Sequence, residues 1–205
     1  MQPAHRLLSA VALAFLSASS FASTVTYTSS AAFLAHVAPG GYTENFNSLG
    51  SPGPAGPILF SSGGFSYAVS APSGLYANGF LGTGAGYEEL TIDFTSGNVT
   101  AVGGNFFATD ISDAFFAAEM NIALSDGTNV SFTPGSVADS YRGFTSDVTI
   151  TSLMLTVSNV DFETLYAGLD NLTVGEAATA VPEPTSWALV GVAMAGLLIT
   201  RRRTG

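Results

Sequence analysis

The sequence predicts an all-β protein, an antiparallel β-sandwich of jelly-roll type, and three observations carry that prediction. Apolar and polar residues alternate with the period of a half-buried strand, as where Leu90, Ile92 and Phe94 flank Thr91 and Asp93. Residues 23–176 hold 13 Phe and all 7 Tyr, separated by Gly and small polar residues. Asp126-Gly127 falls between two alternating runs, a strong hairpin signal. An N-terminal signal helix, one short helix and a C-terminal transmembrane helix complete the expected architecture.

In chain order, His5 and Arg6 precede an apolar run over residues 7–16. Ser20-Phe21-Ala22 then puts small side chains at −3 and −1 of a cut between Ala22 and Ser23, so residues 1–22 read as a secretory signal peptide. A helix is predicted over residues 30–37. Ser29 or Ser30 would cap it, Ala31, Phe33, Leu34 and Val37 would form its packed face, and Pro39-Gly40 would end it. The Pro/Gly-rich residues 51–57 read as a turn-rich loop, and glycines at 74, 79, 82, 84 and 86 as another long loop.

Strands follow. Leu90, Ile92 and Phe94 mark one; Met120, Ile122 and Leu124 mark another, which turns at Asp126-Gly127 into Val130 and Phe132. Residues 148–157 read as a strand with a bulge near Ser152, where the apolar phase shifts by one. Residues 166–174 read as the closing strand. About nine or ten strands fit a two-sheet sandwich over residues 23–176.

The 205 residues carry 15 acidic side chains against 5 Arg and no Lys, a net charge of −10. The hydrophobic share of 47% and charged share of 10% exclude a disordered chain. Without Cys there is no disulfide, thiolate nucleophile or Cys-based metal site. The charge is also unevenly placed. Residues 23–180 hold 14 acids and the single base Arg142, a net −13, while both ends are positive. Nucleic acid is therefore excluded as a partner, since phosphate needs clustered Lys or Arg.

At the C-terminus, Val181-Pro182-Glu183-Pro184 is followed by Thr185, Ser186 and an unbroken apolar run over residues 187–199, then Thr200 and Arg201-Arg202-Arg203. Pro182 and Pro184 lack amide protons and keep their neighbours extended, so the motif stays out of the following helix. From 184 to 200 no residue is charged, a length of roughly 25 Å as a helix at about 1.5 Å per residue, the lower limit for a span. Trp187 suits one interface; beyond Ile199 the three arginines hold the other end in the cytoplasm. Residues 177–184 thus form a linker with the motif, and residues 185–205 an anchor.

These residues resemble the PEP-CTERM sorting signal of Gram-negative bacteria, with all three parts in the right order. The resemblance implies an exosortase partner that recognises the motif and processes the chain near it. It further implies transient anchoring in the inner membrane, then release to or attachment at the outer envelope or extracellular matrix of an exopolysaccharide-making cell. Two looser phrases, Phe33-Leu34 leading to Thr43-Glu-Asn-Phe-Asn47, and Gly168-Leu-Asp-Asn-Leu-Thr-Val174, resemble β-rich ectodomains found ahead of such signals and imply a domain similar to carbohydrate-binding jelly rolls.

Strand alternation places Asp170 in phase with Tyr166, Leu172 and Val174, and Glu44 with Tyr42 and Phe46. Inward carboxylates need a partner, so Glu44 and Asp170 on neighbouring strands would hold Ca²⁺ with backbone carbonyls. The competing readings pair Arg142 with one of them, or make Asp170 a turn cap. Glu88, Glu89 and Asp93 form a dense acidic patch that reads as solvated charge rather than a glycosidase pair. His36 is the only histidine of residues 23–176 and no Gly-x-Ser-x-Gly elbow exists, which leaves a serine triad without support. Tyr67, Tyr76, Tyr87 and Tyr141 are candidates for stacking on sugar rings, or else core. The sequence thus predicts a non-enzymatic, exported, structural or polysaccharide-associated protein, with a carbohydrate-active hydrolase using an Asp/Glu pair as the alternative.

Overall fold

A computed structural model describes residues 23–50, 55–160 and 163–178. The signal peptide with Ala22, the sorting motif 181–184 and the anchor 185–205 lie outside the described residues. Within them the chain forms two antiparallel sheets face to face, a β-sandwich.

One sheet has eight strands: β1 (Thr24–Tyr27), β2 (Tyr42–Glu44), β5 (Leu75–Ala77), β6 (Leu81–Thr83), β8 (Ala101–Thr109), β9 (Phe115–Phe116), β12 (Tyr141–Ser146) and β14 (Tyr166–Gly175). Its order is β1-β12-β8-β14-β6-β5, with β2 beside β14 and β9 beside β8. The other has six: β3 (Ile58–Ser62), β4 (Phe65–Ser70), β7 (Leu90–Phe94), β10 (Met120–Leu124), β11 (Asn129–Phe132) and β13 (Ser152–Val157), in the order β11-β10-β13-β7-β4-β3. The chain alternates between the sheets, as in jelly rolls.

Alternation decides what fills the space between them. Val102, Phe106 and Ala108 of β8 and Ala167 and Leu169 of β14 meet Ile92, Ile122 and Leu155 from the facing sheet in one buried cluster. The outer face of the larger sheet is covered in part by α1 (Ser30–Leu34). Ser29 caps it, its hydroxyl accepting from the Ala32 amide at 3.3 Å. The helix is shorter than the sequence predicted and buries one side chain fully, Phe33, while Leu34 is 49% exposed. Phe33 sits on bare backbone: a Cβ on Gly143 would lie 2.6 Å from its ring.

Two further expectations change. Residues 148–151 are not strand; β13 begins at Ser152, so the phase shift there is a strand start and not a bulge. The amide of Ile150 instead reaches the carbonyl of Val99 at 2.8 Å. The glycines near 80 lie in and around the β5–β6 hairpin, because glycine permits strand geometry without leaving an alternation signal. The strand expected at the end of the chain over residues 166–174 is present as β14, and it lies inside the sheet, bonding β8 on one side and β6 and β2 on the other.

The predicted turn Asp126-Gly127 joins β10 to β11 and also ties the two sheets together. The Asp126 carboxylate accepts from the hydroxyls of Thr24 (2.5 Å) and Ser146 (3.0 Å) on the opposite sheet and from its own turn amide at Thr128 (2.9 Å). Burial works to raise its pKa, but these hydrogen bonds outweigh burial and hold it below the ordinary carboxylate value. Asp126→Ala should cost about 1–3 kcal/mol in thermal or denaturant unfolding. A depressed folded pKa contributes stability above the unfolded value of about 3.9, lost as pH falls through the folded value. The stabilities of parent and variant should therefore converge on acidification through that window.

Candidate functional site

A groove of about 200 Å³ opens on the outer face of the larger sheet, lined by Tyr76, Phe80, Gly82, Thr109, Asp110, Asp113 and Tyr166 among others. Three separate stretches supply it. The β5–β6 hairpin brings Tyr76 opposite Gly82, so one wall is aromatic and the position facing it on β6 carries no side chain. Tyr166 and Thr109 face each other across β14 and β8. The loop after β8 supplies the two aspartates.

That loop is tightly held. One oxygen of Asp110 accepts from the amides of Ser112 (2.8 Å) and Ala114 (3.0 Å), a side-chain turn that sets the loop's path. Asp113 adopts φ +63°, and its Oδ2 accepts from the Tyr76 hydroxyl at 2.6 Å and the Asn78 amide at 2.9 Å. The carboxylate thus joins the loop to the hairpin across the groove. Phe80 packs edge-on against Phe107 at 5.4 Å and leans on Tyr76 at 6.2 Å, which fixes the aromatic wall. The site offers ring faces beside carboxylate oxygens, and among the described residues no basic side chain lines it. Of these residues the sequence reading named only Tyr76 as a binding candidate. The spacing of Asp110, Ser112 and Asp113 was a usable turn signal, but nothing in it pointed to Tyr166 or Phe80.

The proposed calcium pair is not brought together. Glu44 lies opposite Leu172, a core residue, and so faces inward. Its oxygens accept from the Tyr42 hydroxyl and, at 2.9 Å, from the Phe46 amide. Burial, then the hydrogen bond and charge of Glu44, push the Tyr42 phenol up to about 12. Asp170 points the other way. The ladder between β14 and β8 breaks between Asp170 and Thr173, and Asn171 turns to φ +51°. This bulge reverses the phase, so Asp170 shares a face with Tyr166 and Gly168 and lies opposite Asn105, outside the core. It accepts from the amide of Asn171 at 2.7 Å and its side chain at 2.9 Å; burial raises its pKa and the Asn171 amide works against that. Among the described residues no group of three or more His, Asp or Glu could hold a metal ion.

The other candidates find structural partners. Arg142 meets neither carboxylate: its guanidinium lies 3.7 Å from the centroid of the Phe132 ring and donates to the carbonyl of Tyr141 at 2.6 Å. Glu88 accepts from the Ser73 amide at 2.9 Å and its hydroxyl, Glu89 from the Thr91 hydroxyl at 2.9 Å, and Asp93 is exposed on β7. His36 contacts the Ala32 carbonyl at 2.9 Å through Nδ1 and stacks near Tyr27. Tyr67 and Tyr141 are buried, and Tyr87 ties its loop to the carbonyls of Val160 and Glu163.

Comparison with known proteins bears on the C-terminal end of the chain. Residues 180–203 match the PEP-CTERM protein-sorting motif. The protein is thus a β-sandwich followed by a sorting signal. It is a PEP-CTERM sorting domain-containing protein, exported and sorted by an exosortase, with a membrane-anchored C-terminal signal before processing. Among solved structures it is similar to one described as the crystal structure of Podospora anserina GH26-CBM35 β-(1,4)-mannanase, at 16% identity and a TM-score of 0.34. That match covers 70% of this chain and 29% of the other, so the chain spans less than a third of the matched protein's length. No curated protein matches the chain.

Proposed function

We propose that the sandwich is a non-catalytic module that associates with polysaccharide at the outer envelope or in the biofilm matrix. The groove of Tyr76, Phe80 and Tyr166 beside Asp110 and Asp113 carries this reading. Aromatic faces stack on the apolar faces of sugar rings, and carboxylates accept from sugar hydroxyls. About 200 Å³ is below the roughly 300 Å³ of a drug-sized pocket, which suits one ring of a longer glycan. The hydrolase reading draws on the same two carboxylates. Against it, each commits an oxygen to holding its loop. A glycan-binding screen with and without EDTA, run beside a turnover assay on the cell's own exopolysaccharide, tests the choice. Binding without turnover is expected; cleavage that disappears in Asp110→Asn or Asp113→Asn would establish an enzyme.

Processing has a structural consequence at the other end. The Ser23 amide donates to Asp147 Oδ1 at 2.8 Å, and the Asp147 amide donates back to the Ser23 carbonyl at 3.3 Å. A cut after Ala22 turns that amide into an ammonium and the contact into an ion pair at the edge strand β1. Asp147→Asn should then destabilise a chain beginning at Ser23 by up to about 1 kcal/mol more than one that retains Ala22. Equal losses in thermal unfolding would show that the ion pair does not form.

A further inference from the structure

We infer that the sugar bound in the groove carries a protonated amine, so that the ligand is an amino-sugar unit of a glycan; this rests on the saccharide reading above. Both aspartates have an oxygen to spare. Asp110 spends Oδ1 on Ser112 and Ala114, and Asp113 spends Oδ2 on Tyr76 and Asn78. Among the described residues, Oδ2 of Asp110 and Oδ1 of Asp113 accept no hydrogen bond, and both residues line the groove.

Charge selects among the sugars that such a site could take. A uronic acid or sulfated sugar would bring a further negative charge to a groove without a basic side chain, on a domain of net −13 over residues 23–180. A neutral sugar satisfies the oxygens with hydroxyls but gains nothing from the field. An ammonium offers three donors and a positive charge, while the ring it sits on keeps apolar C–H faces for Tyr76 and Tyr166. The surrounding acidity also draws a cationic glycan toward the surface before contact.

The experiment titrates the full-length chain in nonionic detergent with a β-1,4-glucosamine oligomer, its fully N-acetylated counterpart of equal length, and an oligouronate. The glucosamine oligomer should bind, and its affinity should fall as salt is added or as pH rises enough to remove the amine's proton. Asp110→Asn keeps the turn acceptor and removes the charge, and should weaken binding roughly fivefold, about what one exposed charge pair supports. Equal or tighter binding of the acetylated or acidic oligomer would overturn the amino-sugar assignment and leave the saccharide reading standing, as would full affinity in Asp110→Asn. Binding of none of the three would overturn both.

Discussion

Phe33→Ala is expected to cost about 3–5 kcal/mol, the range for truncating a fully buried Phe. Phe33 is 0% exposed and lies between Tyr27 and Tyr141, with ring centroids at 6.0 and 6.1 Å. It is the only fully buried side chain of α1, and five residues of helix cannot hold themselves together without such an anchor. The seat exists because Gly103 and Gly143 present bare backbone. A Cβ on Gly143 would meet the Phe33 ring at 2.6 Å, and one on Gly103 would meet the Gly143 Cα at 3.0 Å. Gly143→Ala should therefore cost about 1–3 kcal/mol by overpacking. The two substitutions should not add. Once Phe33 is alanine the ring contacts are gone but its Cβ still lies 2.8 Å from a Cβ at 143, so part of the overpacking is relieved and the double variant should cost less than the sum of the two. Thermal unfolding followed by circular dichroism measures all three; simple additivity would show that the helix is not seated as described.

Replacing Pro182 and Pro184 together with alanine should abolish C-terminal processing. Alanine restores two amide protons and high helix propensity, so the helix that the sequence predicts over residues 187–199 would extend backward through the motif and hide it. In the parent, the intact mass of the exported protein should begin near Ser23 and end near Pro182 to Pro184. The variant should remain full-length in the membrane fraction, with Arg201, Arg202 and Arg203 still attached. Finding Arg203 on the extracellular form of the parent would refute processing at the motif.

The strands legible in the sequence were those whose side chains alternate strictly. β7 and β10 show buried residues at every second position, and the Asp126-Gly127 turn lies where its residue types demand. Strands built on glycine were not legible. β6 contains Gly82 and reads as loop, because a residue without a side chain contributes nothing to a hydrophobic period. The phase of β14 was misread for a related reason. One bulge at Asp170–Thr173 moves every earlier residue to the opposite face, and no local propensity marked it. Glu44 and Asp170 therefore looked like a pair in the sequence and lie on opposite faces in the fold.

By itself the sequence determined the protein's sorting signal and its fold class. Export and sorting are written in contiguous residues, since a signal peptidase or exosortase reads a short segment whose charge, hydropathy and prolines act locally. The all-β class follows from a period that repeats along the chain. The groove was decided only by the tertiary structure. Tyr76, Asp110, Asp113 and Tyr166 span some ninety positions and meet because β5, β6, β8 and β14 share one sheet. Which face each residue takes depends on register and on a single bulge, and those are settled by packing across the sandwich rather than by the residues themselves.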